Sequence, residues 1–148
     1  MKQKIETRYP ASSSVVIKMM TDKKFYCDRL ELQGHKVYDV VSHSFDGKDF
    51  SIKFKRKLPA ASITHEDIWN VDSKAGRVLV ELHGMPVEMS GVTSLRDEGG
   101  ECVMTYEWEI HSKVPLVGGK IEKTIAAENE KAIPEQTRLG IELLKNYR

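Results

Sequence analysis

Cysteine is scarce in this chain. Cys27 and Cys102 are the only two among 148 residues; they cannot build a disulfide framework or ligate a zinc ion alone. Long apolar runs are also missing. Nothing approaches the roughly 20 residues needed for a membrane-spanning helix, and Met1-Lys2-Gln3-Lys4-Ile5-Glu6 has no apolar signal-like core. The expected setting is reducing and cytoplasmic, without membrane insertion. Charge of one sign is lacking too: 23 Lys and Arg stand against 22 Asp and Glu, a net charge of +1. A phosphate-binding surface normally carries a strong basic excess, so nucleic acid is not expected as a partner. The one basic run, Lys53-Phe54-Lys55-Arg56-Lys57, alternates with apolar residues and reads as the solvated face of a strand. Repeats, low-complexity tracts and linkers are absent.

What remains has the length of one domain, 1–148, with a sizeable core. Residues 2–9 alternate as a half-buried first strand, with Ile5, Thr7 and Tyr9 on one face. After Pro10, Ser12-Ser13-Ser14 offers N-cap hydroxyls for a short helix through Val15, Val16, Met19 and Met20. Thr21-Asp22 caps a second helix over 23–33, carrying Phe25, Tyr26, Arg29, Leu30 and Leu32 and stopped by Gly34.

From residue 36 the period switches to two. Strands over 36–45 and 48–58 flank Asp46-Gly47, a type I′ hairpin signal, with Phe50, Ile52 and Phe54 sharing a face. Pro59-Ala60-Ala61 breaks the pattern. Residues 62–70 form a strand with Ile63, His65, Asp67 and Trp69 on one side. After a turn cluster at 72–76, residues 77–83 present Val78, Val80 and Leu82. Gly84-Met85-Pro86 bends the chain into 87–95, with Met89, Gly91 and Leu95 in phase, and Glu98-Gly99-Gly100 turns it once more. The last strand alternates furthest: Cys102, Met104, Tyr106, Trp108 and Ile110 point inward. A long helix over about 116–147 follows, with Val117, Ile121, Ile125, Ile133, Leu139 and Leu143 near helical spacing. Pro134 inside it predicts two limbs meeting just before the proline.

The expected fold is therefore α+β: a curved seven-stranded antiparallel sheet, two short helices after strand 1, and a long C-terminal helix covering the concave face. In this order the chain resembles the helix-grip superfamily of START-like and Bet v 1-like (SRPBCC) domains. The segment from His111 through Val114-Pro115-Leu116-Val117-Gly118-Gly119-Lys120-Ile121-Glu122-Lys123 is similar to one in an uncharacterised bacterial family within it. Looser likeness lies at Tyr9-Pro10-Ala11, Leu58-Pro59-Ala60 and Gly91. Two features depart from that family: the short connection 59–63, and Pro134. The resemblance implies a cavity between sheet and helix for a small hydrophobic molecule, lipid-like or aromatic and polyketide-like. The ligand-binding candidates are Phe50, Ile52, Phe54, Val80, Met89, Met104, Tyr106, Trp108, Ile121 and Ile125.

Chemistry-bearing motifs are few. Gly118-Gly119-Lys120 lacks the earlier glycine and the Ser or Thr of a P-loop; its glycines read as a tight strand-to-helix turn. The histidines His35, His43, His65, His83 and His111 show no metal-ligand pairing, so no metal and no cofactor are expected. There is no GxSxG elbow, and Cys102 reads as a small core residue. Asp39, His43, His65 and Asp67, with Tyr106, are the groups able to converge for acid–base work. The leading expectation is a binding module. The alternatives are a cyclase- or dehydratase-type enzyme and a protein-interaction module of the chaperone-associated kind, which would need an exposed apolar patch. Trp108 is expected in the cavity, Trp69 near a loop, and Ile121 and Ile125 buried against the sheet.

Overall fold

The computed structural model describes residues 1–35, 38–57 and 61–148. The expected strand start at Lys36 and Val37 and the break at Leu58-Pro59-Ala60 lie outside them. The elements run β1 (Lys2–Tyr9), α1 (Ser13–Met20), α2 (Lys23–Leu32), β2 (Tyr38–Phe45), β3 (Asp49–Lys57), β4 (Ser62–Asn70), β5 (Ala75–His83), β6 (Val87–Glu98), β7 (Glu101–Ser112) and α3 (Gly118–Leu144). This is the helix-grip fold. β2 to β7 form an antiparallel meander and β1 closes on β7, giving the order β1-β7-β6-β5-β4-β3-β2. α3 packs chiefly on β7 and β1 and meets α2. Among the described residues, α3 makes no comparable direct packing on β3 to β5.

Local chemistry accounts for most boundaries. Ser12 caps α1 by accepting from the Val15 N–H, and Asp22 caps α2 by accepting from the Lys24 N–H at 3.0 Å. Gly34, at φ +84°, ends the second helix in a left-handed conformation that glycine adopts without steric cost. Leu32 does not join the core; it is exposed.

Two turns and one helix differ from expectation. At the β2–β3 hairpin only Gly47 has positive φ, and the Asp46 N–H bonds the Asp49 carbonyl. The turn therefore brackets Gly47-Lys48 with glycine first, which excludes type I′. The strand-to-helix turn does not use its glycines for a left-handed bend either. Leu116 takes that conformation, at φ +68° and fully exposed, while a Cβ on Gly119 would meet nothing within 4 Å. Finally, α3 is one continuous helix through Pro134. Glu130, whose carbonyl loses its donor to the proline, is itself an exposed residue.

The core gathers Tyr9, Phe25, Tyr26, Phe50, Trp69 and Ile110, each 1% exposed or less. It lies toward α1 and α2. A loosely filled region remains beside it.

Candidate functional site

The sheet register assembles the site row by row. Inward positions of β3 to β7 align as Phe54, His65, Val80, Met89 and Ile110. The next row is Ile52, Asp67, Val78, Gly91 and Trp108, and the third is Phe50, Trp69, Gly76, Thr93 and Tyr106. On the other side of the first row, Arg56 opens a fourth with Ile63, Leu82 and Val87. Over these rows, between the sheet and α3, lies a cavity of about 450 Å³. Ile125, Asn129 and Ile133 of α3 form its roof, and Met20, Tyr26 and Arg29 of α1 and α2 bound it at one end. Met85, Thr124, Glu128 and Ala132 line it as well and are exposed, which puts the mouth between the β5–β6 turn and the first half of α3.

Gly91 has a definite role here. A Cβ on it would stand 2.9 Å from the Trp108 ring, so the missing side chain is what lets the indole lie flat on β6. Tyr106 stacks parallel to that indole at 6.0 Å. Trp108 is buried, and its Nε1–H has no hydrogen-bond partner. Gln3 anchors the roof: its amide donates to the Ala126 carbonyl at 2.7 Å, and its oxygen accepts from Asn129 at 3.2 Å.

Polar groups collect on the β3–β5 flank. His65 Nε2 lies 2.8 Å from Asp67 Oδ2. Both atoms are nonetheless buried without an aligned hydrogen bond, so the contact is a close approach rather than a well-directed bond. The His65 ring stacks on Phe54 at 4.8 Å. Arg29, 8% exposed, places its guanidinium over the Phe25 and Tyr26 rings at 5.0 and 5.4 Å. Arg56 donates from Nη1 to His35 Nε2 at 2.9 Å, while its buried Nε has no partner. Burial, and then the neighbouring Arg29 charge, pulls the Arg56 pKa below its ordinary value, yet a guanidinium stays protonated at neutral pH. Burial also pushes the Tyr26 and Tyr106 phenols well above their ordinary value, so both are neutral hydroxyls.

The candidate residues divide accordingly. Val80, Met89, Met104, Tyr106, Trp108, Ile125, His65 and Asp67 line the cavity. Phe50, Ile52 and Phe54 face inward but are spent in core packing, and Ile121 is half-buried outside the lining. Ile125 is also only half-buried.

Asp39 and His43 do not join His65 and Asp67. A bulge between Val40 and Ser42 shifts the β2 register, so Asp39 pairs outward-facing Lys55 and His43 pairs inward-facing Ile52. Both are exposed at the sheet's edge. Trp69 lies near a loop, one residue before the end of β4, yet it is 1% exposed and lines the cavity.

Sequence reasoning missed the two arginines. Arg56 was readable, because it continues the parity of Phe50, Ile52 and Phe54, whereas Lys55 and Lys57 face solvent. Cys102 is buried, with its thiol pushed up to about 11 by burial, and lies outside the lining. Among the described residues, no group of three or more His, Cys, Asp or Glu is placed to hold a metal ion. No helix there is long and apolar enough to cross a membrane.

A family model described as "Protein of unknown function (DUF2505)" matches residues 4–144. The chain belongs to that family. No curated protein matches the sequence. Among solved structures, the fold is similar to a protein from Thermus thermophilus, at TM-score 0.71 and 14% identity, covering 99% of this chain and 98% of that one. It is also similar to norcoclaurine synthase from Thalictrum flavum in complex with dopamine and hydroxybenzaldehyde, at 0.70 and 13%, covering 100% and 88%. A START superfamily protein from Mycobacterium smegmatis gives 0.65 and 12%, covering 97% and 98%. Identities this low carry the fold alone.

Proposed function

We propose that this DUF2505 chain works as one helix-grip domain, in the cytoplasm, that binds a small hydrophobic molecule between sheet and α3. The supporting observation is the cavity itself: about 450 Å³, within the range of small-molecule sites, with mostly apolar walls and the unpartnered Trp108 indole N–H in its lining. The two aromatic molecules in the norcoclaurine synthase complex are in keeping with an aromatic or lipid-like ligand. We take the Val114–Lys123 segment as a mark of the family.

The test is native mass spectrometry of freshly purified protein, followed by titration with an apolar fluorescent probe. A co-purifying mass, saturable probe binding and a raised melting temperature are expected. Trp69 and Trp108 both line the cavity, so replacing either by leucine alters probe affinity. Absence of both a co-purifying mass and probe binding overturns the reading.

One contact favours a second reading. The His65–Asp67 pair in the cavity wall is a candidate acid–base couple, with Tyr106 as a neutral donor, for a cyclase- or dehydratase-type reaction. If so, His65→Gln removes turnover while retaining probe binding, and neither a chelator nor thiol alkylation has an effect. Turnover that survives His65→Gln rejects this reading.

A further inference from the structure

The arginines of this chain that pair with carboxylates, Arg8, Arg96 and Arg138, are at the surface. Arg29 and Arg56 differ. They line the same cavity, and among the described residues neither makes an ion pair with an Asp or Glu. Arg29 is more than nine-tenths buried and rests on two aromatic faces. Arg56 has one N–H on a histidine ring nitrogen and a buried Nε with no partner. Of the two carboxylates in the lining, Glu128 is exposed on α3 and Asp67 is already held against His65 at 2.8 Å. Two guanidinium groups near each other in an apolar enclosure form a costly arrangement, because desolvated charge without a counter-charge is strongly disfavoured. A planar guanidinium with free N–H groups fits a bidentate oxyanion. Away from the arginines the wall includes Val78, Val80, Met89 and Met104, which suit an apolar body.

We infer that the ligand is an amphipathic anion, an apolar body with a carboxylate-type head held between Arg29 and Arg56. This rests on the binding-module reading and narrows it. His35 acts as a positioning residue: it accepts from Arg56 Nη1 and leaves the remaining N–H groups directed elsewhere. Asp67 counters a further anion deeper in the cavity, so one head group is accommodated at the arginine end and the apolar body extends under α3.

The experiment uses the full chain, Nile red as a neutral reporter, and three competitors of equal length: decanoate, decan-1-ol and decyltrimethylammonium, at pH 7.5. Decanoate displaces Nile red at least about tenfold more effectively than decan-1-ol, the factor expected when one charge-assisted interaction is added. Arg56→Gln brings decanoate to within about threefold of the alcohol, and Arg56→Lys retains part of the preference. Circular dichroism checks that each variant is folded. If Arg56→Gln is not, the wild-type ratio and Arg56→Lys decide. Equal displacement by acid and alcohol overturns the anion inference and leaves apolar binding intact. Preference for the ammonium compound overturns it in favour of recognition by Asp67. Failure of Nile red and all three competitors to bind overturns the binding-module reading, and this inference with it.

Discussion

Residues 118–133 of α3 and residues 134–144 of the same helix pack in different ways. In the second stretch Thr137, Leu139, Gly140, Leu143 and Leu144 are buried. Gly140 comes so close to Tyr9 that a Cβ would stand 3.2 Å from its ring. Just beyond, the Tyr147 hydroxyl donates to Asp22 Oδ2 at 2.7 Å, tying the chain end to the cap of α2. In the first stretch Ile121 and Ile125 are half-buried, and Thr124, Glu128 and Ala132 are exposed. One helix therefore serves as a core element at its C-terminal end and as a partial roof at its N-terminal end. The cavity lies where hydrophobic contact is left incomplete. Burial is the source of stability, and its local shortage is what leaves the cavity unfilled.

That contrast makes its largest prediction at Leu144, 1% exposed. Leu144→Ala is expected to cost about 2–5 kcal/mol, the range for a core leucine leaving a cavity. Ile125→Ala, at the roof, is expected to cost only about 1 kcal/mol, since much of its side chain is already outside the core. Urea unfolding measures both. Equal losses would break the distinction between the two ends.

Pro134 marks the junction. A proline within a helix costs up to about 3 kcal/mol against alanine. Because Pro134 is exposed and the helix runs on through it, Pro134→Ala should stabilise by about 1–3 kcal/mol. A destabilised variant would mean that the proline sets the angle at which the second half meets the core. Gly91→Ala comes next, at about 1–2 kcal/mol lost to overpacking, because its Cβ would press on the Trp108 ring. A shift in Trp108 emission should accompany it. Unchanged emission in a stable variant would show that the indole does not rest on β6.

The fold was legible in the sequence because alternation and helical spacing persist over long segments. β7, from Glu101 to Ser112, could hardly be read otherwise. Turn chemistry was less legible. Asp46-Gly47 signals one hairpin type, but the strand register selects another bracket of the same residues, and nothing local reveals that Leu116 takes the left-handed turn. For the site, apolar lining was readable by parity and the ionic part was not. A bulge separates Asp39 from His43, and bulges have no dependable signature in a single sequence. Arg56 lay within a basic run whose composition suggests solvent, although its parity with Phe54 pointed inward. Arg29 sat on the apolar face of a short helix, where charge alone does not say whether the group is buried.

The smallest expected effect tests the Arg56 end of the cavity. His35 is held below its ordinary pKa of 6.5, first by partial burial and second by the Arg56 guanidinium. As the pH falls below about 6.5, His35 in the unfolded chain takes up a proton that the folded chain resists. More protons are then bound in the unfolded state, so stability declines with falling pH until the lowered folded value is passed, and then levels off. At neutral pH and above this contribution is constant. His35 is only half-buried, and solvent screening keeps the decline under about 1 kcal/mol. His35→Gln keeps an acceptor for Arg56 but cannot titrate. Urea midpoints from pH 7.5 to pH 5 should therefore slope less steeply in the variant than in the wild type. Identical slopes would mean that His35 does not sense Arg56, and the β3–β5 flank would then lose the feature that most sharply separates it from the packed half of the molecule.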